Sequence, residues 1–304
     1  MLINPTMLEQ LFCRKYSTDI LKFVPKHKPA LDRDVDVLKE FIQKSNKIAV
    51  LTGAGISTES GIPDYRSEEV GLYARTNHKP VQYMEFLKSA QVRRRYWARN
   101  YVGWYTFSQR QPNQVHYSIR NLEHVHNKVS SVITQNVDGL HFKAGSSNVI
   151  ELHGTAFRVI CLQCRAEYDR FYIQDNLRDM NPHMVEVINM IRPDGDVEIP
   201  QETVEGFQPP TCESCGGVLK PDIIFFGDNV PTARVEAVKD TVSHSDSLLV
   251  LGSSLTVFSS YRIVLQALEE DKNIAIVNIG ATRADNAVKI KISARCGDIL
   301  PKIC

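Results

Sequence analysis

The chain has 304 residues, of which 43% are hydrophobic and 23% are charged, and its 36 lysines and arginines nearly balance 35 acidic residues. This balance leaves no excess charge for a polyanion, so we expect no nucleic-acid partner. No run approaches the ~20 apolar residues that a membrane helix needs, so we expect no membrane partner either. The length accommodates one large domain and a smaller one.

Residues 1–29 differ in composition from the rest of the chain. Leu8, Leu11 and Phe12 share one helical face. Basic side chains outnumber Glu9 and Asp19 there, namely Arg14, Lys15, Lys22, Lys26 and Lys28. A basic, amphipathic segment without a secretory apolar core is typical of a mitochondrial transit peptide. The alternative is a basic arm that is disordered or packs on the surface.

Short apolar runs recur along the chain, at 48–51, 129–134, 223–226, 247–251 and 274–277. Runs that are apolar at successive positions favour strands covered on both faces. Apolar residues at helical spacing lie between some of these runs, at 36–45 and 257–270. The alternation predicts an α/β fold with a Rossmann-like, doubly wound parallel sheet.

Two stretches interrupt this alternation and predict a smaller, inserted zinc-binding and helical domain. Residues 65–112 are rich in arginine and aromatic residues and predict a helical insertion. Residues 156–217 hold two cysteine pairs and predict a zinc-binding module. The Rossmann-like domain is then assembled from residues 30–155 and 218–304.

Four cysteines form two Cys-x-x-Cys pairs, Cys161 with Cys164 and Cys212 with Cys215. Two such pairs complete the tetrahedral Cys₄ shell of one structural Zn²⁺. A filled shell leaves no position for substrate or activated water, so the chemistry must lie elsewhere. The remaining cysteines, Cys13, Cys296 and Cys304, do not make an extracellular disulfide framework, which favours a reducing compartment.

A glycine turn follows the first predicted strand. Gly53 and Gly55 surround Ala54, and Ser57 follows closely. A strand, a Gly-x-Gly turn and a helix start form a phosphate cradle, because backbone N–H groups can approach a pyrophosphate. The dinucleotide fingerprint fails at its third position, where Thr58 replaces glycine. An ordinary hydride-transfer enzyme is therefore disfavoured, and the turn alone could be purely structural.

Several polar segments follow the cradle or the later strands. The loop from Glu59 to Arg66 combines Gly61, a rigid Pro63, an acid and an aromatic residue, and could fold over a ligand. Other polar groups stand where strands end, and open α/β sheets bind ligands there. They are Gln135-Asn136-Val137-Asp138, Gly252-Ser253-Ser254 and Asn278-Ile279-Gly280. His153 alone would more often be structural than catalytic.

In chain order these motifs resemble those of the sirtuins, which are NAD-dependent protein-lysine deacylases. The set comprises Gly-Ala-Gly-Ile-Ser, Gly-Ile-Pro-Asp-Tyr-Arg, Gln-Asn-Val-Asp, His-Gly, the cysteine pairs, Phe-Phe-Gly-Asp and Gly-Ser-Ser-Leu. The resemblance spans about residues 35–300 and is to class II sirtuins. It implies that NAD is the cofactor and that an acyl group passes from lysine to ADP-ribose as nicotinamide leaves.

The resemblance also implies roles for individual residues. His153 acts as general base on a ribose hydroxyl, Asn136 and Asp138 orient the ribose and the nicotinamide amide, and Gly227 pairs with the substrate peptide. The implied NAD contacts are Gly53, Ala54, Gly55, Ile56, Ser57, Thr58, Glu59, Gly61, Ile62, Pro63, Asp64, Tyr65, Arg66, Tyr73, Gln135, Asn136, Val137, Asp138, Gly252, Ser253, Ser254, Asn278, Ile279, Gly280 and Cys296.

Tyr96 and Arg99 stand three residues apart, on one face if this stretch is helical. They match a Tyr-x-x-Arg pair that reads acyl carboxylates in another class II sirtuin, and an arginine fork suits a carboxylate. Alternatively, Arg99 belongs to a solvated basic face with Arg93, Arg94 and Arg95. Residues 192–199 either reach the active site or form a surface loop.

The resulting hypothesis is an NAD-dependent protein-lysine deacylase of the mitochondrial matrix. It would act on acylated mitochondrial proteins and prefer larger or carboxylate-bearing acyl groups. One rival is an NAD-dependent protein ADP-ribosyltransferase using the same cofactor pocket. The other is an NAD sensor that binds partners and turns over little.

Overall fold

A computed structural model describes residues 21–76, 80–184 and 191–304. Residues 1–20 of the predicted transit peptide lie outside this range. The helices are α1 (Asp32–Lys44), α2 (Leu72–Arg75), α3 (Tyr83–Lys88), α4 (Ala90–Ser108), α5 (Gln114–His124), α6 (Leu140–Ala144), α7 (Arg170–Met180), α8 (Gln201–Glu205), α9 (Thr232–Ser243), α10 (Phe258–Glu269) and α11 (Cys296–Ile299), with 3₁₀ turns at Ala54–Ser60 and Leu300–Lys302.

The strands form two separate sheets. They are β1 (Ile48–Thr52), β2 (Val129–Thr134), β3 (Val149–Glu151), β4 (Gly154–Cys161), β5 (Glu167–Asp169), β6 (Leu219–Ile223), β7 (Ser247–Leu251), β8 (Asn273–Val277) and β9 (Ile290–Ile292). The larger sheet has the order β3-β2-β1-β7-β8-β9, and its pairs are all parallel. The strand order reverses between β1 and β7, which is where such sheets open a ligand crevice.

Helices cover both faces of this sheet, as its apolar strands require. Val50 of β1 packs with α1 and α5 on one face, through residues such as Phe41 and Ile119. Ala49 faces the opposite side with Val238 of α9 and Ile263 of α10. The predicted α/β class with a doubly wound parallel sheet is confirmed.

The first helix begins at Asp32, earlier than the predicted start at residue 36. Its apolar residues Leu38, Phe41 and Ile42 are buried at helical spacing, as expected. The extra turn contains Asp32, Asp34 and Val35, and Val35 packs against the same core as Leu38. The two carboxylates also stabilise the positive end of the helix dipole.

The smaller domain contains an antiparallel sheet of order β5-β4-β6. The apolar run at 223–226 was expected to be a strand of the main sheet, and this prediction is wrong. The strand is Leu219–Ile223, and it pairs with β4 through Leu219 and Cys161. An apolar run reports burial but does not tell which sheet buries it.

Helix α4 packs against this small sheet. The indole of Trp97 donates a hydrogen bond to the Leu219 carbonyl at 3.1 Å. The fully buried Arg170 lies 4.4 Å from the centre of the Trp104 ring and donates to Asn100 at 2.8 Å. These contacts join α4 and the cysteine-bearing segment around one core.

Within the described residues, no helix combines the length and apolarity that a bilayer crossing requires.

Candidate functional site

A cavity of about 870 Å³ lies where the carboxyl ends of the main-sheet strands face the small domain. Its wall includes Gly55 after β1, Gln135 after β2 and Gly252 after β7. The helical insertion contributes Tyr96, and the zinc-binding module contributes Asp194. The volume is within the range of small-molecule and cofactor sites.

The glycine turns at the strand ends touch each other. The Gly55 N–H donates to the Gly252 carbonyl at 2.9 Å. Gly252 has φ of +59°, and a Cβ there would stand 2.6 Å from the Ile56 nitrogen. A side chain at this position would force the two turns apart. The segment after Gly53 is a 3₁₀ helix, Ala54–Ser60, rather than an α-helix.

A buried polar network forms the floor of the cavity. The Asn136 amide donates to the Gly53 carbonyl and to Ser57 Oγ, both at 3.1 Å. Ser57 Oγ donates in turn to Asp138 Oδ2 at 2.7 Å. Burial raises the pKa of Asp138, while the hydrogen bonds from Ser57 and from the Leu140 N–H act in the opposite direction. The network fixes Asn136 and Asp138, two of the three side chains predicted to take part in catalysis.

The Gln135 side chain connects two strand ends beside this floor. Its amide donates to the Thr52 carbonyl at 3.1 Å and to Ser253 Oγ at 2.8 Å. Thr52 ends β1, and Ser253 follows β7. The predicted cofactor groups from three separate strands therefore meet at one point.

His153 lies next to this point with both ring nitrogens engaged. Nδ1 is 3.1 Å from the Gln135 carbonyl and Nε2 is 2.8 Å from Ser259 Oγ. A carbonyl only accepts, so Nδ1 carries the proton and Nε2 presents its lone pair. Burial, opposed by the Gln135 hydrogen bond and reinforced by Arg234, lowers the pKa of His153 from 6.5 to about 4. The imidazole is therefore neutral at pH 7, as a general base must be.

The loop after the cradle closes one side of the cavity. Asp64 holds it together, because Oδ1 accepts from the Ser67 N–H at 2.9 Å and its carbonyl accepts from the Leu72 N–H at 2.8 Å. The rings of Tyr65 and Tyr73 lie 5.8 Å apart. Arg66 stands 5.6 Å from the centre of the Tyr73 ring. These contacts all lie within the loop and the short helix α2 that follows it.

Most of the predicted cofactor residues line the cavity. They are Ala54, Gly55, Ser57, Thr58, Ile62, Asp64, Tyr65, Arg66, Gln135, Asn136, Val137, Asp138, Gly252, Ser253, Ser254, Asn278, Ile279, Gly280 and Cys296, and Gly227 also lines it. The remaining predicted residues are not among those that line the cavity: Gly53, Ile56, Glu59, Gly61, Pro63 and Tyr73. Glu59, for example, faces Arg295 at 3.5 Å.

The two predicted acyl-binding residues have different environments. Tyr96 lines the cavity, with its ring 5.0 Å from that of Phe225. Arg99 is buried behind the wall and is not among the lining residues. Its guanidinium lies 3.1 Å from Asp196 and 2.9 Å from Glu198. Its charge is therefore already balanced by two carboxylates of the small domain.

The segment 192–199 reaches the cavity, which answers the question that the sequence left open. Pro193, Asp194 and Asp196 line it. Burial, reinforced by Asp196, raises the pKa of Asp194 to about 6. Gly103 of α4 allows this close approach, since a Cβ there would lie 2.0 Å from the Gly195 carbonyl oxygen.

Sequence reasoning missed several lining residues. Arg262 and Ser259 lie on the first turns of α10, and Arg295 precedes α11. Pro25 and Lys26 come from the segment assigned to the transit peptide. The serine could have been found by following the Gly-Ser-Ser loop into the next helix. Arg295 is adjacent to the predicted contact Cys296, whereas Pro25 and Lys26 are distant in sequence from every motif.

The four predicted cysteines come together in the small domain. Their sulfur atoms all lie within 4.8 Å of one another. Cys161 and Cys215 are 3.6 Å apart, and Cys164 and Cys212 are 3.5 Å apart. These separations exclude disulfides and approach the roughly 3.8 Å expected between thiolates around a tetrahedral Zn²⁺ with 2.3 Å bonds. The donor set fits one structural zinc ion.

A family model described as the Sir2 family matches residues 53–259. The chain belongs to the Sir2 family. It is 56% identical over 287 residues to the NAD-dependent protein deacylase Sirt4 of Drosophila melanogaster, covering 94% of this chain and 92% of the relative. It is 49% identical over 291 residues to the mitochondrial NAD-dependent protein lipoamidase sirtuin-4 of Homo sapiens, covering 96% and 92%.

Solved Sir2 structures share the fold. One, described as "Structural Basis for the Mechanism and Regulation of Sir2 Enzymes", superposes with a TM-score of 0.69 at 29% identity and covers 90% of this chain and 97% of that one. A Sir2–p53 peptide–NAD+ complex superposes with a TM-score of 0.66 at 25% identity, covering 88% and 96%. The predicted sirtuin family is confirmed, and the similar relatives are sirtuin-4 proteins. Sir2 enzymes use NAD, so the predicted cofactor is confirmed at the level of the family.

The cysteine cluster predicts that metal removal unfolds the small domain. Cys164→Ser should lose the zinc and lower the melting temperature, because metal binding contributes folding free energy. Metal analysis after dialysis and thermal unfolding measure both effects. Cys304→Ser is the matched control, since Cys304 lies outside the cluster. Zinc retained at full stoichiometry in Cys164→Ser would contradict the Cys₄ site.

Proposed function

We propose that this chain is an NAD-dependent protein-lysine deacylase. The observation that carries the proposal is the neutral His153, which lines the cavity together with Gln135 and Asn136. Membership of the Sir2 family and the names of the similar relatives support it. Bound NAD would supply the ribose carbon that receives the acyl oxygen and the nicotinamide that leaves.

The residues of this chain would divide the remaining work. The glycine turns would hold the phosphates with backbone N–H groups. The Asn136–Ser57–Asp138 network would orient the nicotinamide amide, and Gln135 with Ser253 would hold a ribose. The loop from Asp64 would shield the reacting carbon from water. His153 would then take a proton from a ribose hydroxyl.

The substrate peptide would bind beside residues 224–227. The Ile224 N–H donates to the His153 carbonyl at 2.8 Å, so this segment is tied to the proposed base. Phe226 accepts from the Tyr83 N–H at 2.9 Å, and Gly227 has φ of +78°. An extended peptide could add to this segment as a strand, with main-chain hydrogen bonds giving affinity.

His153→Ala should abolish formation of acyl-ADP-ribose while retaining NAD binding. We expect a loss of about a hundred- to ten-thousandfold, the usual contribution of a positioned general base. Mass spectrometry of products formed from NAD and an acyl-lysine peptide measures the loss. Near wild-type deacylation by the variant would exclude His153 as the base. ADP-ribosylated protein as the main product, or no product, would instead favour the transferase or the sensor.

If His153 is the base, we expect kcat/KM to depend little on pH near neutrality. A general base works only when neutral, so activity is lost as the pH falls through its pKa. Because burial lowers the pKa of His153 to about 4, kcat/KM should change little between pH 8 and 6. An acid limb centred near the unperturbed value of about 6.5 would contradict this environment.

We infer that the enzyme prefers larger acyl groups. Human and bovine relatives are named lipoamidases, and lipoyl-lysine carries a long, uncharged acyl group. Tyr96 and Phe225 give the cavity an aromatic wall that suits such a chain. Recognition of an acyl carboxylate by Arg99 stays a prediction, and it would require Arg99 to exchange Asp196 or Glu198 for the substrate.

Arg99→Met tests whether Arg99 recognises an acyl carboxylate or serves only as the ion-pair partner of Asp196 and Glu198. We expect similar losses of kcat/KM for a lipoyl-lysine and a carboxylated acyl-lysine peptide, because removing the arginine leaves Asp196 buried without one of its partners. Arg95→Met is the control on the same helix, since Arg95 is exposed. A loss of about ten- to a hundredfold confined to the carboxylated peptide would instead establish carboxylate recognition, since a charged hydrogen bond contributes about 1.5–3 kcal/mol.

We propose that the protein acts on acylated proteins in the mitochondrial matrix. The human and bovine relatives are named mitochondrial. The packing of residues 21–29 favours a transit peptide that ends before Leu21. Phe23 is 7% exposed, with Arg75 lying 5.1 Å from the centre of its ring. His27 lies 3.2 Å from Asp298, so this segment joins the cofactor loop to the C-terminal helix.

Two truncated chains test this boundary. A chain that begins at Leu21 should retain the KM for NAD of the full-length protein. A chain that begins at Ala30 should show a KM raised by up to about tenfold, equivalent to about 1.4 kcal/mol, because the loop loses its contact with Phe23. Equal KM values for both chains would place the boundary as late as residue 29. Import assays with the full chain test the compartment.

A further inference from the structure

The hydroxyl of Ser259 is the second partner of the His153 ring. Its Oγ is 2.8 Å from Nε2, the nitrogen that must receive the proton in the proposed reaction. The opposite nitrogen is held by the Gln135 carbonyl at 3.1 Å. The ring is thus held on both sides, by the end of β2 and by the first turn of α10. None of the sequence motifs includes Ser259.

We propose that Ser259 is a positioning residue for His153, which orients the imidazole and stabilises its protonated form. The inference rests on the proposed deacylase function. In the resting site the hydroxyl donates to the Nε2 lone pair. For the reaction the hydroxyl proton turns away, and the ribose hydroxyl donates to Nε2 in its place. The ribose O–H bond then breaks, its proton forms the N–H bond of the imidazolium, and its electron pair stays on the ribose oxygen for attack on the imidate carbon. The new N–H is shared with Ser259 Oγ, which now accepts. A hydroxyl can fill both roles because it is both donor and acceptor.

The site needs such an acceptor. His153 is buried, and Arg234 of α9 disfavours a positive charge on its ring. A hydrogen bond to a charged group is about twice as strong as one between neutral groups. The Ser259 oxygen therefore stabilises the protonated ring more than it stabilises the neutral ring. Its removal should weaken the base as well as loosen it.

The start of α10 places the serine accurately. Leu255 has φ of +57°, and its N–H donates to Ser253 Oγ at 3.2 Å, which turns the chain into the helix. The adjacent Ser260 is fully buried and donates to the Val257 carbonyl at 2.8 Å. Two neighbouring serines thus have different partners, the first the proposed base and the second its own helix. Ser260 offers a matched control.

The experiment compares wild type, Ser259→Ala, Ser259→Thr and Ser260→Ala with NAD and a lipoyl-lysine peptide. We expect Ser259→Ala to lower kcat by about tenfold or more, the loss of one hydrogen bond to a charged group. The KM for NAD and peptide-dependent exchange of labelled nicotinamide should be retained, because neither requires the base. Ser259→Thr keeps a hydroxyl and should recover most of kcat. Ser260→Ala should match wild type.

A second measurement needs no substrate. The ¹⁵N NMR resonance of His153 Nε2 at pH 7 reports whether its lone pair accepts a hydrogen bond. It should move downfield in Ser259→Ala and stay unchanged in Ser260→Ala. An unchanged resonance, or kcat equal to wild type in Ser259→Ala, would overturn the inference. An equal loss of nicotinamide exchange and kcat would also overturn it, assigning Ser259 to cofactor binding. A wild-type enzyme that forms no acyl-ADP-ribose would refute the deacylase proposal, while the resonance would still decide the contact.

Discussion

The contact between two glycine turns is the constraint on which the site depends. The Gly55 N–H donates to the Gly252 carbonyl, which brings the ends of β1 and β7 within van der Waals distance. These strands flank the point where the sheet order reverses. Gln135 then connects the same two strand ends with one side chain.

Burial decides the electrostatics of this crevice. His153 and Asp138 are both withdrawn from water, and burial disfavours the charged form of each. The histidine therefore stays neutral and available as a base. The carboxyl of Asp138 is compensated by hydrogen bonds from Ser57 and from the Leu140 N–H. Burial thus keeps His153 neutral, and it makes the hydrogen bonds to Asp138 necessary in the same wall of the cavity.

The small domain supplies the other wall, and its position depends on two buried clusters. The four cysteines hold the ends of β4 and β6 together. Arg99 and Arg192, paired with Asp196 and Glu198, hold the segment 192–199 against α4. Breaking a buried ion pair by removing one partner is costly, since a charge stays buried. This side of the cavity is consequently shaped by ion pairs as well as by aromatic rings.

The sequence by itself determined the fold class, the cysteine cluster and most of the cavity wall. Those features depend on local patterns: apolar runs covered on both faces, fixed cysteine spacing, and motifs that each occupy one strand end. Only the tertiary structure decided the partner of Arg99, the sheet that contains Leu219–Ile223, and the arrival of Asp194, Ser259 and Pro25 at the cavity. Each of these depends on which distant segments pack together. Such packing depends on how the surfaces of distant segments fit together, and local residue spacing does not reveal that fit.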